Sequence, residues 1–159
     1  MTPITGTKRK VVLGLGNILN RDEGLGIQAL RLLEPRSGDF PEFEFLDGGV
    51  LGLNLLMLVE ECSHLLLLDS VDAKKPAGMV IELSKEKIPL YSGIKMSQHQ
   101  VTFQEVLGLA NIRGNLPENL YLIGIQPEDL SVGLGLSVRV EEALPQVVER
   151  AIAVLNNWK

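Results

Sequence analysis

The chain has 159 residues, 45% hydrophobic and 22% charged, which fits one globular domain able to bury a sizeable core. A net charge of -5 argues against a nucleic-acid surface built on clustered Lys and Arg, and a single cysteine, Cys62, leaves no disulfide framework or thiolate metal cluster. A reducing cytoplasm is the expected compartment.

In chain order, the N-terminus carries no signal-peptide pattern, because Gly14 and Gly16 interrupt an apolar run too short for an h-region. Lys8-Arg9-Lys10 reads as a solvated lead-in to a first strand, Val11-Val12-Leu13, after which Gly14-Leu15-Gly16 turns the chain. Asn20-Arg21-Asp22-Glu23 has the spacing of a capping box. It predicts a helix over 21–34 with Leu25, Ala29, Leu30 and Leu33 inward and Pro35 as its stop. Glu23 thereby falls where a strand hands over to a helix, the edge at which open α/β sheets bind ligands.

A second strand over 43–46 closes on Asp47-Gly48-Gly49, and 52–61 reads as a helix with Leu53, Leu56, Met57 and Val59 inward. Cys62 falls in the following turn. Leu65 to Leu68 is apolar on both faces, as a central parallel strand is, and it ends on Asp69. The Leu-rich stretch 51–68 is split by Glu60, Glu61, Ser63 and His64, so neither half reaches the ~20 residues that span a bilayer. The next strand, 79–83, follows a link too short for a crossover and is expected to run antiparallel. A helix over 98–112 buries Phe103, Val106, Leu107 and Ala110, and the last strand, 120–125, ends at Gln126-Pro127-Glu128. A helix over 138–156 closes the chain, kinked or divided at Pro145. These elements make an α/β fold: one domain over 1–159, a mostly parallel sheet with one antiparallel strand, and helices on both faces.

A strand order of the 2-1-3 kind places strands one and three side by side, and the crevice between them is a topological switch point. Glu23 and Asp69 then share one sheet edge. His99 joins them from the first turn of the helix that Ser97 and Gln100 mark as a second capping box. The positive helix end disfavours imidazolium, so His99 is expected to be neutral near pH 7 and to offer a lone pair. Two carboxylates and one imidazole suit a borderline divalent ion with positions left open. Each residue also has a purely structural reading: Glu23 closing the capping box, Asp69 capping a turn, His99 bonded to backbone. His64 stands roughly 16 Å from Asp69 along an extended strand, on the opposite edge.

Other chemistries fall away. The G-x-G at Gly14 and Gly16 has Leu19 where a dinucleotide fingerprint needs its third glycine, and an acid in the first turn repels pyrophosphate. There is no G-x-S-x-G elbow, and Cys62 has no base partner in the pattern.

Taken in order, G-L-G-N-I-L-N-R-D-E-G-L-G over 14–26, Leu46-Asp47-Gly48-Gly49, the leucine strand ending in Asp69, Ser97-Gln98-His99-Gln100 and Gly124-Ile125-Gln126-Pro127-Glu128 resemble the [NiFe]-hydrogenase maturation endopeptidases. The resemblance covers nearly the whole chain. It implies a three-layer α/β/α sandwich on a five-stranded mixed sheet, with Glu23, Asp69 and His99 as the metal-contacting positions. It also implies that the metal is nickel carried by the substrate, so that the free enzyme need hold none. The implied reaction removes the C-terminal extension of the hydrogenase large-subunit precursor after nickel insertion, with no nucleic-acid or membrane partner. Val50 departs from the threonine that many members have after Asp-Gly-Gly, while Asp47 is kept.

Asp47 therefore joins Asp69 as a candidate for activating water or positioning substrate, its structural reading being a turn aspartate before two glycines. Nickel could act as a Lewis acid, or as a docking handle while a carboxylate activates the water; the second is preferred. Two rivals stand beside this reading. Peptidyl-tRNA hydrolases open on a similar G-x-G-N turn but need a Pro-Gly after it, where this chain has Ile18-Leu19, and its negative charge suits tRNA poorly. A nickel-binding chaperone or sensor would hold the metal and cut nothing.

Overall fold

The computed structural model describes residues 8–50, 55–89 and 101–159. Its strands are β1 (Arg9–Gly14), β2 (Phe43–Asp47), β3 (Cys62–Ser70), β4 (Val80–Ser84) and β5 (Asn119–Ile125); its helices are α1 (Leu25–Leu33), α2 (Leu55–Glu61), α3 (Val101–Ile112) and α4 (Val138–Asn157). The strands form one sheet in the order β2-β1-β3-β5-β4. β1, β2, β3 and β5 run parallel and β4 runs antiparallel to β5. This is the mixed sheet that the short link after β3 requires.

Alternation along the central strands divides the core in two. Val12, Leu66, Leu68, Ile123 and Ile125 face α1 and α4, against Leu25, Leu30, Val140 and Leu144. Val11, Leu13, Leu65, Leu67 and Leu122 face α2 and α3, against Leu58, Val59, Phe103 and Leu107. Leu65 to Leu68 are all buried, as a strand covered on both faces demands. The result is three layers, with β1 and β3 adjacent at the centre.

Several boundaries differ from the sequence reading. The helix expected over 21–34 begins as a 3-10 turn, Arg21–Gly24, becomes α-helical at Leu25, and passes at Glu34 into a second 3-10 turn that contains Pro35. Asn20 makes no side-chain cap, so the capping box is not formed. Arg9 and Lys10 belong to β1, and the Arg9 guanidinium bonds Glu44 and Glu61 rather than standing free in solvent. Met57 is exposed and Leu58 is buried in its place, because α2 turns a different face to the sheet. Cys62 opens β3 instead of lying in a turn, and Ser70 extends the strand one residue beyond Asp69. α4 runs undivided through Pro145.

Candidate active site

β1 ends where the chain must fold back over the sheet's carboxyl edge. The Leu15 N–H donates to the Leu68 carbonyl at 2.9 Å, which fixes the exit from β1 against β3. Gly16 has φ 128°, and a Cβ there would overlap the Glu23 carbonyl, so glycine alone lets residues 16 and 23 meet. The Asn17 N–H donates to that same carbonyl at 3.2 Å and the Asn17 side chain accepts from the Leu19 N–H at 2.9 Å, closing the loop on itself. Gly26 sits on the end of β3: a Cβ there would overlap the carbonyl oxygens of Leu15 and Leu68. Two close backbone approaches thus press the 21–24 turn onto the strand that carries Asp69.

Glu23 (2% exposed) and Asp69 (0%) are consequently neighbours inside the protein. Asp69 Oδ1 accepts from the Ser70 N–H at 2.8 Å, while Oδ2 is buried with no hydrogen-bond partner among the described residues. Burial pushes the Asp69 carboxyl well above the usual aspartate range, the Ser70 N–H opposes this, and the negative charge of Glu23 adds to the rise. A turn-capping role accounts for one oxygen of Asp69 and leaves the other with no partner among the described residues, and a buried acid oxygen without a partner costs free energy. Adjacent buried carboxylates of this kind fit a divalent cation, whose charge offsets both.

Asp47 ends β2 in register with Gly14, while Leu68 pairs with Gly14 from the other side. Asp47 and Asp69 therefore flank β1, separated by two interstrand spacings, roughly 10 Å. Asp47 is half-buried, and its Oδ1 accepts from the Gly49 N–H at 2.8 Å, the turn contact expected of an aspartate before two glycines. One oxygen is held and the side chain still reaches solvent. His99, Ser97 and Gln100 lie outside the described residues. Among the described residues no three His, Cys, Asp or Glu side chains gather as a metal-ligand set, so Asp47 is not a third ligand beside Glu23 and Asp69.

The two side chains set aside from the sequence are elsewhere in the fold. His64 pairs with Asn119 at the start of β5, bonds Ser63 Oγ at 2.8 Å and packs edge-on to Trp158. Burial holds its imidazole below the usual pKa. Cys62 is fully buried, with its thiol pushed up to about 12.

Asp22 is the residue that the sequence reading passed over. It is fully buried and accepts from the backbone N–H groups of Glu128, Asp129 and Ser137 at 2.9, 2.9 and 2.8 Å, and from Ser137 Oγ at 2.8 Å. The available signal was the Asp-Glu pair itself: adjacent acids in a tight turn cannot both face one site, so the second needs donors of its own.

The model of the hydrogenase maturation protease family matches residues 27–154. The hydrogenase expression/formation protein HupD of Rhizobium leguminosarum bv. viciae is 39% identical over 152 residues, 94% of this chain and 75% of that protein. The hydrogenase 2 maturation protease of Escherichia coli K12 is 36% identical over 149 residues, covering 92% of this chain and 90% of that one. Among solved structures, the hydrogenase maturating endopeptidase HybD from E. coli superposes with a TM-score of 0.81 at 32% identity, covering 94% of this chain and 93% of that one. These likenesses displace both the peptidyl-tRNA hydrolase rival and a metal carrier without proteolysis. With its mixed five-stranded sheet and its acids gathered at the carboxyl edge, the chain belongs to the hydrogenase maturation protease family and is an endopeptidase of hydrogenase maturation.

Proposed function

We propose that this endopeptidase removes the C-terminal extension of a [NiFe]-hydrogenase large-subunit precursor, and that it reads the nickel already seated in that substrate through Glu23, Asp69 and His99. The observation that carries the proposal is the Oδ2 of Asp69, buried beside a second acid and without a hydrogen-bond partner among the described residues. A cation presented by the substrate supplies what that oxygen lacks. His99 enters from the sequence pattern, as a neutral imidazole suited to nickel.

Asp69 and Asp47 divide the work on this reading. Asp69 is cut off from solvent and suits a binding role. Asp47 touches solvent and has one oxygen anchored, so it is the better placed of the two to take a proton from a water attacking the scissile carbonyl. The roughly 10 Å between them gives the metal and the scissile bond separate stations along the sheet edge. No helix of the described residues is long and apolar enough to cross a membrane, which suits work in the cytoplasm on a newly made precursor.

Glu23→Gln and His99→Ala test the assignment. Each is expected to fold with the wild-type circular dichroism spectrum and to leave nickel-loaded precursor uncleaved, a loss of 100-fold or more, on the order of that for removal of a group acting at the reacting centre. Full processing by either variant removes that residue from the site.

A further inference from the structure

The turn that carries Glu23 is tied to a distant loop chiefly by the buried side chain of Asp22, with Asn20 bonding the Leu130 carbonyl at 3.3 Å and Arg21 pairing with Asp129 nearby. Among the described residues, all the donors to the Asp22 carboxylate come from residues 128–137: Ser137 N–H to Oδ1, and Glu128 N–H, Asp129 N–H and Ser137 Oγ–H to Oδ2. The backbone reinforces the tie. Asp22 N–H donates to the Asp129 carbonyl at 3.0 Å, Arg21 N–H to the Gly133 carbonyl at 3.2 Å, and Gly133 N–H to the Leu19 carbonyl at 2.9 Å. Ser137 precedes α4 yet makes no side-chain cap, because its hydroxyl is committed to Asp22. Charge-assisted bonds from several donors to one buried carboxylate are strong and specific in direction.

The placement of this tie gives it a role at the site. Loop 128–137 leaves β5, and β5 pairs with β3 so that Gly124 faces Asp69. Glu23 directly follows Asp22 and is held from its other side by the Asn20 carbonyl and the Asn17 N–H. The clamp therefore joins the turn bearing Glu23 to the loop that follows the strand beside Asp69.

We propose that Asp22 is a positioning residue that sets the separation of the Glu23 and Asp69 carboxylates, and thereby the affinity for the metal-bearing precursor; this rests on the reading of those two acids as the recognition pair. Groups that orient ligands from behind in this way change metal affinity or activity by about 10–100-fold when removed.

Asp22→Asn is the test, because it keeps the shape and turns one acceptor into a donor facing donors. With nickel-loaded precursor it is expected to raise KM by about tenfold or more with kcat little changed. Amide hydrogen exchange is expected to quicken at Asn17 and Glu23 as well as at Glu128, Asp129 and Ser137. Leu155→Ala, a core truncation at the far end of α4, is the control: it should lower Tm at least as much and leave both kinetic constants at wild-type values.

Wild-type KM in Asp22→Asn overturns the proposal, and so does a loss that Leu155→Ala reproduces at equal Tm. If Asp22→Asn does not fold, Ser137→Ala, which removes one donor, should raise KM in the same direction, and an unchanged KM overturns the proposal. Glu23→Gln, assayed in parallel, separates the two claims. Full activity there sinks the recognition pair itself, whereas an inactive Glu23→Gln beside a wild-type Asp22→Asn sinks only the positioning role.

Discussion

Buried beside Glu23 and shut off from water, Asp69 holds its proton at a pH where an exposed aspartate has lost it. A raised carboxyl pKa in the folded state means that the folded protein binds the proton more tightly than the unfolded chain does. Its contribution to stability is therefore complete below the unfolded aspartate value and is lost as pH rises toward the folded one. Asp69→Asn removes this ionisation and keeps an acceptor for the Ser70 N–H. It is expected to raise Tm by a few degrees near pH 7, to converge with wild type on acidification toward the ordinary aspartate range, and to abolish processing. Thermal melts across that pH range decide it, and an Asn variant less stable than wild type at pH 7 contradicts the account. Cys62 makes the opposite kind of residue. Its thiol is buried and pushed up to about 12, so a disulfide reagent at pH 8 should leave native protein unlabelled and modify one thiol per chain in denaturant. Rapid labelling of the native protein would show that the amino end of β3 opens.

At the scale of elements, the junction of α1 with β3 carries the candidate site, and its close approach depends on Gly26. Gly26→Ala forces a methyl group against two backbone carbonyls and is expected to cost about 1–3 kcal/mol. Because the displacement separates Glu23 from Asp69, cleavage per folded molecule should fall as well. Leu33→Ala, at the other end of the same helix, is expected to cost about 2–5 kcal/mol and to spare cleavage. Denaturant titration paired with precursor cleavage tests this; equal specific activities in the two variants would sink it.

The strands and helices themselves were legible from periodicity, because the Leu65–Leu68 run and the short link before β4 each admit one arrangement. The turn over 20–24 was not. Its capping-box spacing is local, but Asn20 bonds the Leu130 carbonyl and Asp22 bonds residues 106 to 115 positions away, contacts that no local pattern encodes. Met57 and Leu58 were exchanged for a related reason: adjacent apolar residues in a short helix leave its phase undetermined until packing sets it.

Over the whole molecule, the parallel order β2-β1-β3-β5 brings three acids, distant in the chain, to one edge, while His64 and Trp158 lie at the other. That polarity was readable once strand order was inferred, since every parallel strand delivers its carboxyl end to the same side. The edge offers a buried pair of acids and a wetter acid two strands away, and the proposed function has the pair recognise a metal while the wetter acid assists attack on a peptide bond. Mass spectrometry of one precursor, nickel-loaded and nickel-free, after incubation with the enzyme tests this coupling most directly. Loss of the C-terminal extension from the loaded form alone is the expected result, and equal cleavage of the nickel-free form would contradict it.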